Sequence, residues 1–259
     1  MISAITAQDA AWKHTRLGKF TASTIGQLMT SPRSKAQRDA GGWSETAMKL
    51  IKTKAIERLT GQYIKGSEVE AMRRGLLLEP AAIHLLNKHW RNVDITTWQQ
   101  FNDYIGATPD GLVDQGTATM DLKCPMNAAD VLLFQDEVQD GSWESLLAWD
   151  KDYAWQIMTQ SLCCEVSTCW LVYFTDRLAI RKFDDGERDE VQTLIDLRAD
   201  QYSQESLYPW SYTYDSDGYY YAAKRFERTD EISIQLLSTL ARANEECDRQ
   251  VERLKAMIA

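Results

Sequence analysis

No apolar run in this 259-residue chain approaches the roughly 18 residues needed to cross a bilayer. Its first residues lack a basic and hydrophobic leader pattern. A soluble intracellular protein is expected. The five cysteines (Cys124, Cys163, Cys164, Cys169 and Cys247) are odd in number and include no C-x-x-C pair. That argues against a disulfide framework and against a zinc or iron-sulfur site, and predicts reduced thiols. No internal repeat is visible. Nor is there an excess of positive charge. The net charge of −9 argues at first sight against nucleic acid, whose non-specific affinity comes largely from lysine and arginine displacing counterions. The distribution matters more than the sum. Residues 1–91 are rich in base, with Lys13, Arg16, Lys19, Arg33, Arg73 and Arg74 among others, while residues 130–152 and 184–217 hold most of the acid excess. A basic face opposite an acidic one is expected. At 44% hydrophobic and 26% charged residues, the composition is globular, with enough chain for one substantial core.

What is present is more specific. Gly106-Ala107-Thr108-Pro109-Asp110-Gly111-Leu112 is followed by Met120-Asp121-Leu122-Lys123-Cys124-Pro125. Residues 103–108 read as a strand ending in a Pro-Gly turn, and residues 118–123 as the next strand of a hairpin. Alternation along that strand puts Asp121 and Lys123 on one face, with Asp110 at the turn opposite. Such a charged cluster serves a core poorly and suits a divalent metal. Mg²⁺ takes hard oxygen ligands, usually one or two carboxylates together with substrate phosphate oxygens and water. A neighbouring lysine can orient or deprotonate an attacking water and offset developing phosphoryl charge. Metal-assisted phosphodiester hydrolysis is therefore one reading. A solvated acidic hairpin is the other.

Upstream, residues 67–87 carry a helical pattern with Val69, Met72, Leu76, Ile83 and Leu86 on one side. Glu79 follows three leucines there, and a partly buried carboxylate must be paired or metal-bound. Pro80 is expected to bend this helix or start a new one. The plainer alternative for Glu79 is an exposed residue beside a proline kink. Further helices are expected at 7–12, 21–29, 44–59, 128–138, 151–165 and 188–204. Strands are expected at 93–98, 104–108, 112–114, 119–123, 168–175 and 179–183. Helices flanking a mixed central sheet follow. Residues 202–221, with seven tyrosines and one tryptophan but almost no base, read as a loop packed on the domain. Beyond them, Leu237, Asn244, Val251 and Ile258 recur every seven residues, as do Leu240, Cys247 and Leu254. This a/d seam serves either an intramolecular helix or a subunit or partner contact. Residues 1–221 are expected to form the domain, and 222–259 a C-terminal amphipathic helix.

Taken together, Gly-x-x-x-Glu-Pro-x-Ala, then Thr-Pro-Asp-Gly, then Asp-x-Lys-Cys-Pro resemble the ordered signature of the bacteriophage lambda exonuclease family. These are the YqaJ-like viral recombinases of the PD-(D/E)xK superfamily. The likeness includes Trp12-Lys13-x-x-Arg16-Leu17-Gly18-x-x-Thr21-Ala22-Ser23, then Pro32-Arg33-Ser34, then Tyr153-Ala154-Trp155-Gln156-x-x-x-Gln160. It implies an α/β fold with a restriction-endonuclease-like PD-(D/E)xK core. It implies Glu79, Asp110, Asp121 and the Leu122 carbonyl as ligands of Mg²⁺, with two ions and Mn²⁺ as a substitute, and Lys123 as the catalytic lysine. Arg16, Ser23, Thr108 and Gln156 match positions that bind a terminal 5′-phosphate or lie against the scissile nucleotide. Arg33 matches a loop arginine reaching the minor groove, and Met72 a wedge between terminal bases. Two departures stand out: the D/E-x-K acid is Asp121 where the family's type member has Glu, and the hairpin is one residue longer.

The implied activity is 5′-to-3′ digestion of one strand of linear duplex DNA, leaving 3′ overhangs for recombination by strand annealing. The implied partners are duplex ends with a 5′-phosphate, a single-strand annealing protein and two further copies in a toroidal homotrimer. The implied location is the cytoplasm of a bacterial host. A metal-dependent endonuclease, a single-strand exonuclease and a non-catalytic end-binding protein are the alternatives. Read without the resemblance, Arg16 is a surface charge, Ser23 or Thr21 a helix cap, Gln156 a solvent-facing helix residue and Met72 core.

Overall fold

The computed structural model of the protein describes residues 13–64, 70–205, 211–214 and 216–258. The helix expected at 7–12 and the expected start of the Glu79 helix at Ser67 lie outside these residues. The chain runs β1 (Phe20–Thr21), α1 (Ala22–Leu28), α2 (Lys35–Asp39), α3 (Glu45–Thr60), α4 (Glu70–His89), β2 (Val93–Asp94), β3 (Gln99–Asn102), β4 (Ile105–Ala107), β5 (Gly111–Val113) and β6 (Ala118–Lys123). It continues through α5 (Ala129–Glu137), α6 (Trp143–Trp149), α7 (Lys151–Cys163), β7 (Thr168–Thr175), β8 (Arg181–Lys182), α8 (Glu187–Glu205), β9 (Gly218–Glu227) and α9 (Asp230–Ile258).

Six strands form a mixed sheet in the order β2-β5-β6-β7-β9-β8, and β1-β4-β3 form a second, smaller one. Only β6 and β7 run parallel in the larger sheet. Side chains alternate across it, so β7 sends Cys169, Leu171 and Tyr173 into one core and Val172 and Phe174 into the other. The first core is closed by α1, α3, α5, α7 and α9, the second by α4 and α8.

Several expectations change. The segment expected as one strand at 93–98 is divided: Val93 and Asp94 pair with β5, while β3 begins at Gln99 and pairs with β4 in the other sheet. The hairpin partner of β6 is β5, not residues 103–108, and Asp114, Gln115 and Gly116 turn between them at φ 49°, 61° and 83°. Gly116 suits that left-handed bend because it has no Cβ. In β4, a Cβ on Gly106 would lie 2.0 Å from Trp98 Cζ2, so the indole rests directly on backbone.

Pro80 does not start a new helix; α4 is continuous from Glu70 to His89. Proline removes the N–H that would reach the carbonyl four residues back. That carbonyl, Leu76 O, accepts from Arg198 Nε of α8 at 3.4 Å, which offsets the lost bond.

Residues 202–221 are not wholly a loop. Gly218–Glu227 is a full strand antiparallel to β7, and Tyr214 and Tyr219 are 1% exposed in the second core. The part at 206–210 and 215 lies outside the described residues. The boundary expected at 221/222 therefore falls inside β9. The following helix folds back on its own chain: Leu236, Leu240, Ala243 and Cys247 are fully buried in the first core. Arg58 of α3 bonds Asp248 at 2.8 Å along the same contact. None of the five cysteines is in a disulfide.

Candidate metal centre

The two sheets part between Ala107 and Gly111, so Thr108-Pro109-Asp110 crosses from β4 to β5. β5 accompanies β6 only as far as Met120. Beyond that point β6 continues through Asp121, Leu122 and Lys123 with β7 alone as its strand neighbour. The Leu122 N–H on the vacated side donates to Asp110 Oδ2 at 2.7 Å. A strand that outruns its partner thus delivers both acids to one place.

Alternation then sends Asp121 and Lys123 toward α7 and Leu122 into the second core. Gln156 and Gln160, one helical turn apart on α7, each donate Nε2–H to Asp121 Oδ1 at 2.7 Å. Lys123 Nζ lies 2.5 Å from Asp121 Oδ2, donates to Gln156 Oε1 at 3.4 Å and sits 4.3 Å above the Tyr153 ring. Gln156 is therefore no idle surface residue. Glu79 arrives from α4, and a cavity of about 230 Å³ is lined by Glu79, Asp110, Asp121, Leu122, Lys123 and Gln156. Met72 lines it too and is 53% exposed, so it is not a core methionine.

The electrostatics of this cavity are those of an anion cluster in need of a cation. Burial, then repulsion from Asp121 and Glu79, holds Asp110 well above the usual carboxylate range, against the Leu122 N–H and Lys123 that favour its charge. Burial raises Glu79 as well, partly countered by Arg198. Burial also acts against the Lys123 ammonium, yet the Asp121 and Asp110 charges outweigh it, and its pKa stands above that of an ordinary lysine. Asp121 Oδ2 is buried without a hydrogen bond of regular geometry; only the Lys123 charge faces it. Three hard oxygen donors, one of them short of partners, are of the type a divalent ion such as Mg²⁺ takes, although their ligand atoms do not all lie within 4.8 Å of one another.

A different trio, His89, Asp184 and Glu187, has ligand atoms within 4.8 Å of one another. There, however, Glu187 Oε1 already receives Lys88 at 3.0 Å and His89 at 2.7 Å, and Oε2 accepts the Asp184 N–H at 3.1 Å. Those partners hold Glu187 below the usual carboxylate range although burial opposes them.

A prediction follows from Asp110. Its raised pKa contributes stability that is complete below the unfolded carboxylate range and is lost as pH rises through the raised value. In metal-free protein, Asp110→Asn should therefore raise Tm at neutral pH by roughly 2–6 °C, for about 1–2 kcal/mol of relieved repulsion. The gain should shrink on acidification. Saturating Mg²⁺ should reverse it by stabilising only the wild type. Thermal melts in chelator and in Mg²⁺ across pH test this, and a variant that melts with the wild type throughout would contradict it.

Some supporting residues escaped the sequence reading. Buried Arg74 donates to the Cys124 and Pro125 carbonyls at 2.8 and 2.7 Å and pairs with Asp176, which also takes the Tyr212 hydroxyl. One guanidinium thereby ties the Glu79 helix to the end of the Asp121 strand. Gln160 stood in the motif Tyr153-Ala154-Trp155-Gln156-x-x-x-Gln160 but was given no role; nothing local signals Arg74.

The remaining sequence candidates fall elsewhere. Arg16 Nη2 donates to Thr108 Oγ1 at 2.8 Å, and its guanidinium lies 5.3 Å from the centre of the Trp98 ring, two residues from Asp110 by way of Thr108. Burial lowers its pKa, against Tyr63. Ser23 is exposed on α1, its hydroxyl 3.4 Å from that of Thr21, and neither side chain makes a capping bond to that helix. Arg33 is exposed before α2, its carbonyl held by Arg38 at 2.6 Å. Neither Ser23 nor Arg33 lines the cavity.

A curled mixed sheet flanked by helices, with acids gathered at a strand that outruns its neighbour, defines a fold of the PD-(D/E)xK type. An alkaline exonuclease, LHK-Exo from Laribacter hongkongensis, superposes with a TM-score of 0.62 at 22% identity, over 96% of this chain and all of that one. The same holds for LHK-Exo in complex with dAMP. A phage-related exonuclease from Haemophilus somnus 129PT gives 0.60 at 17% identity, over 91% of this chain and 96% of that one. No curated protein matches the sequence. The model of the YqaJ-like viral recombinase domain matches residues 11–167, and the chain belongs to that family. Among the described residues, no helix is long and apolar enough to cross a membrane.

Proposed function

We propose that this protein is a Mg²⁺-dependent nuclease that digests the 5′-ended strand of linear duplex DNA, leaving 3′ overhangs for strand-annealing recombination. The observation that carries this reading is the convergence of Glu79, Asp110, Asp121 and Lys123 on one cavity in a chain of this family. Glu79, Asp110, Asp121 and the Leu122 carbonyl would hold the ions, two in number, with Mn²⁺ able to substitute. A bound divalent ion supplies Lewis acidity toward the phosphodiester and lowers the pKa of water.

The protein's own groups do the rest. Gln156 and Gln160 fix one oxygen of Asp121 and leave the other facing Lys123. Lys123, kept as an ammonium by its acidic neighbours, donates toward the attacking water or a phosphoryl oxygen that gains charge. Arg16, bonded to Thr108 two residues from Asp110, would receive the terminal 5′-phosphate, since a guanidinium matches phosphate oxygens in pairs. The proposed partners are a single-strand annealing protein and, in a ring, two further copies of the chain, with the bacterial cytoplasm as the site of action.

Linear, nicked circular and single-stranded DNA, each with and without a 5′-phosphate, form the test in Mg²⁺. Digestion confined to linear duplex, from the 5′ end, is expected. Internal cleavage of the nicked circles would replace this reading with an endonuclease, preference for single strands with a single-strand exonuclease, and tight binding without cleavage with an end-binding protein. Arg16→Ala should slow digestion of 5′-phosphorylated ends by about 10-fold or more, the loss expected for a charged hydrogen bond of roughly 1.5–3 kcal/mol. Ends bearing a 5′-hydroxyl should be little affected, and equal slowing of both would count against a phosphate site at Arg16.

A further inference from the structure

Arg16 is the last helical residue before a turn at Leu17 and Gly18 that leads into β1. Gly18 holds φ at 68°, in the left-handed region, and a Cβ there would lie 2.6 Å from Arg58 Cγ. Both of its backbone groups are taken by the last turn of α3. The Gly18 N–H donates to Glu57 Oε2 at 2.9 Å, and the Gly18 carbonyl accepts from Arg58 Nε at 2.9 Å. Glu57 is completely buried, and its oxygens have two further partners. Oε2 also takes the Lys54 ammonium at 2.9 Å, while Oε1 accepts the Ile64 N–H at 3.1 Å. Ile64 follows Tyr63, which acts electrostatically on Arg16. One carboxylate therefore fixes the turn that carries Arg16 and the segment that brings Tyr63 to it.

We propose that Glu57 and Arg58 are positioning residues for recognition of the 5′-phosphate, acting through Gly18 on the Arg16 guanidinium. The proposal rests on the reading of Arg16 as the phosphate ligand. Neither residue lines the acidic cavity, so neither has a part in holding the ions. The guanidinium end of Arg16 is held by Thr108 Oγ1 at 2.8 Å and lies 5.3 Å from the centre of the Trp98 ring. Its backbone end moves with the turn, and the turn is pinned through Gly18. A hydrogen-bonded ion pair in a core adds little stability over apolar residues of the same volume, yet losing one partner is costly. What Glu57 supplies is direction, an acceptor at a fixed point that no apolar side chain offers. Placement matters because a binding group must be held within about 0.5 Å of its working position by the contacts behind it.

The test uses the full-length protein in Mg²⁺ on linear duplex with a 5′-phosphate or a 5′-hydroxyl. The readout is the ratio of the two initial rates, with Tm measured beside it. Arg58→Met keeps the methylenes against Gly18 and removes the donor, and it should lower the ratio by about 5-fold or more, within the roughly 100-fold that a 1 Å misplacement can cost. Arg58→Lys, which returns a donor, should recover part of the loss. Glu57→Gln keeps the volume but offers one acceptor oxygen in place of two, and should lower the ratio as well. If burial makes that variant fail to fold, the partly exposed Arg58 decides alone. Added to Arg16→Ala, Arg58→Met should change the ratio no further, because it acts through Arg16. A lowered Tm with a wild-type ratio in either variant, or a full additional loss on top of Arg16→Ala, would overturn the positioning role. Should Arg16→Ala lose the ratio while the α3 variants keep it, positioning fails and the phosphate reading stands; should Arg16→Ala keep it, both fall.

Discussion

Lys123→Ala is expected to lower kcat by roughly 10²–10³-fold, the usual cost of removing one donor aimed at developing charge, while DNA is still bound. The reason is geometric. Lys123 Nζ touches Asp121 Oδ2 and Gln156 Oε1 but is no ligand of the proposed ions, so Glu79, Asp110 and Asp121 remain to hold them. Asp121→Ala removes a ligand and also strands Gln156, Gln160 and Lys123, so it should lose metal affinity along with turnover. Single-turnover digestion in Mg²⁺ and duplex binding in Ca²⁺ separate the two effects. Ca²⁺ itself should support binding without cleavage, because its longer and looser coordination positions water poorly. Turnover by Lys123→Ala at the wild-type rate would remove Lys123 from the mechanism.

The largest effect on stability should come from Leu240→Glu. Leu240 is completely buried between α9 and the first core, so a carboxylate there must be dehydrated or force the helix away. The cost is about 3–5 kcal/mol, which for a chain of this size lowers Tm by roughly 6–20 °C. Leu254→Glu, at a partly buried position nearer the end of the same helix, should cost only about 1 kcal/mol. Ile258, 76% exposed, should tolerate the change. Urea melts of the three variants would show this gradient. A Leu240→Glu protein of unchanged Tm but altered mass by light scattering would instead mean that the seam meets another chain.

That helix shows where sequence reading stops. Its period of seven was plain, and so was its amphipathic character, because both are properties of consecutive residues. Which surface the apolar stripe would meet was not, since a stripe is equally content against α3 or against a partner. The same division runs through the chain. β7 was legible to the residue, as Thr168–Thr175, from its run of β-branched and aromatic residues. α3, expected at 44–59, forms at Glu45–Thr60 and is capped by Ser44, whose hydroxyl accepts the Ala47 N–H at 3.1 Å. β9 was hidden because its first half, residues 219–223, sends side chains into both cores, which erases there the alternation that marks a half-exposed strand. The short α6 escaped as well, although Ser142 caps it through the Ser145 N–H at 3.2 Å.

The candidate site divides in the same way. Residue type singled out Glu79, Asp110, Asp121 and Lys123, because an acid beside a turn and an acid two residues from a lysine are local patterns that carry chemistry in themselves; Gln156 was picked out only by the family resemblance. How they meet is not a local property. Asp110 faces Leu122 only because one sheet ends at Ala107 and another begins at Gly111, and the strand break at 93–98 follows from the same parting. The Arg74–Asp176 tie joins residues 102 positions apart, and Pro80 stays within a continuous helix where Arg198, 122 positions from Leu76, meets the freed carbonyl. The sequence by itself determined which groups carry charge and which segments have one apolar face. Which of those groups share a cavity was decided only when the sheets, α4 and α7 closed on one another, because contacts between distant segments depend on packing the whole core and leave no periodic trace in the chain.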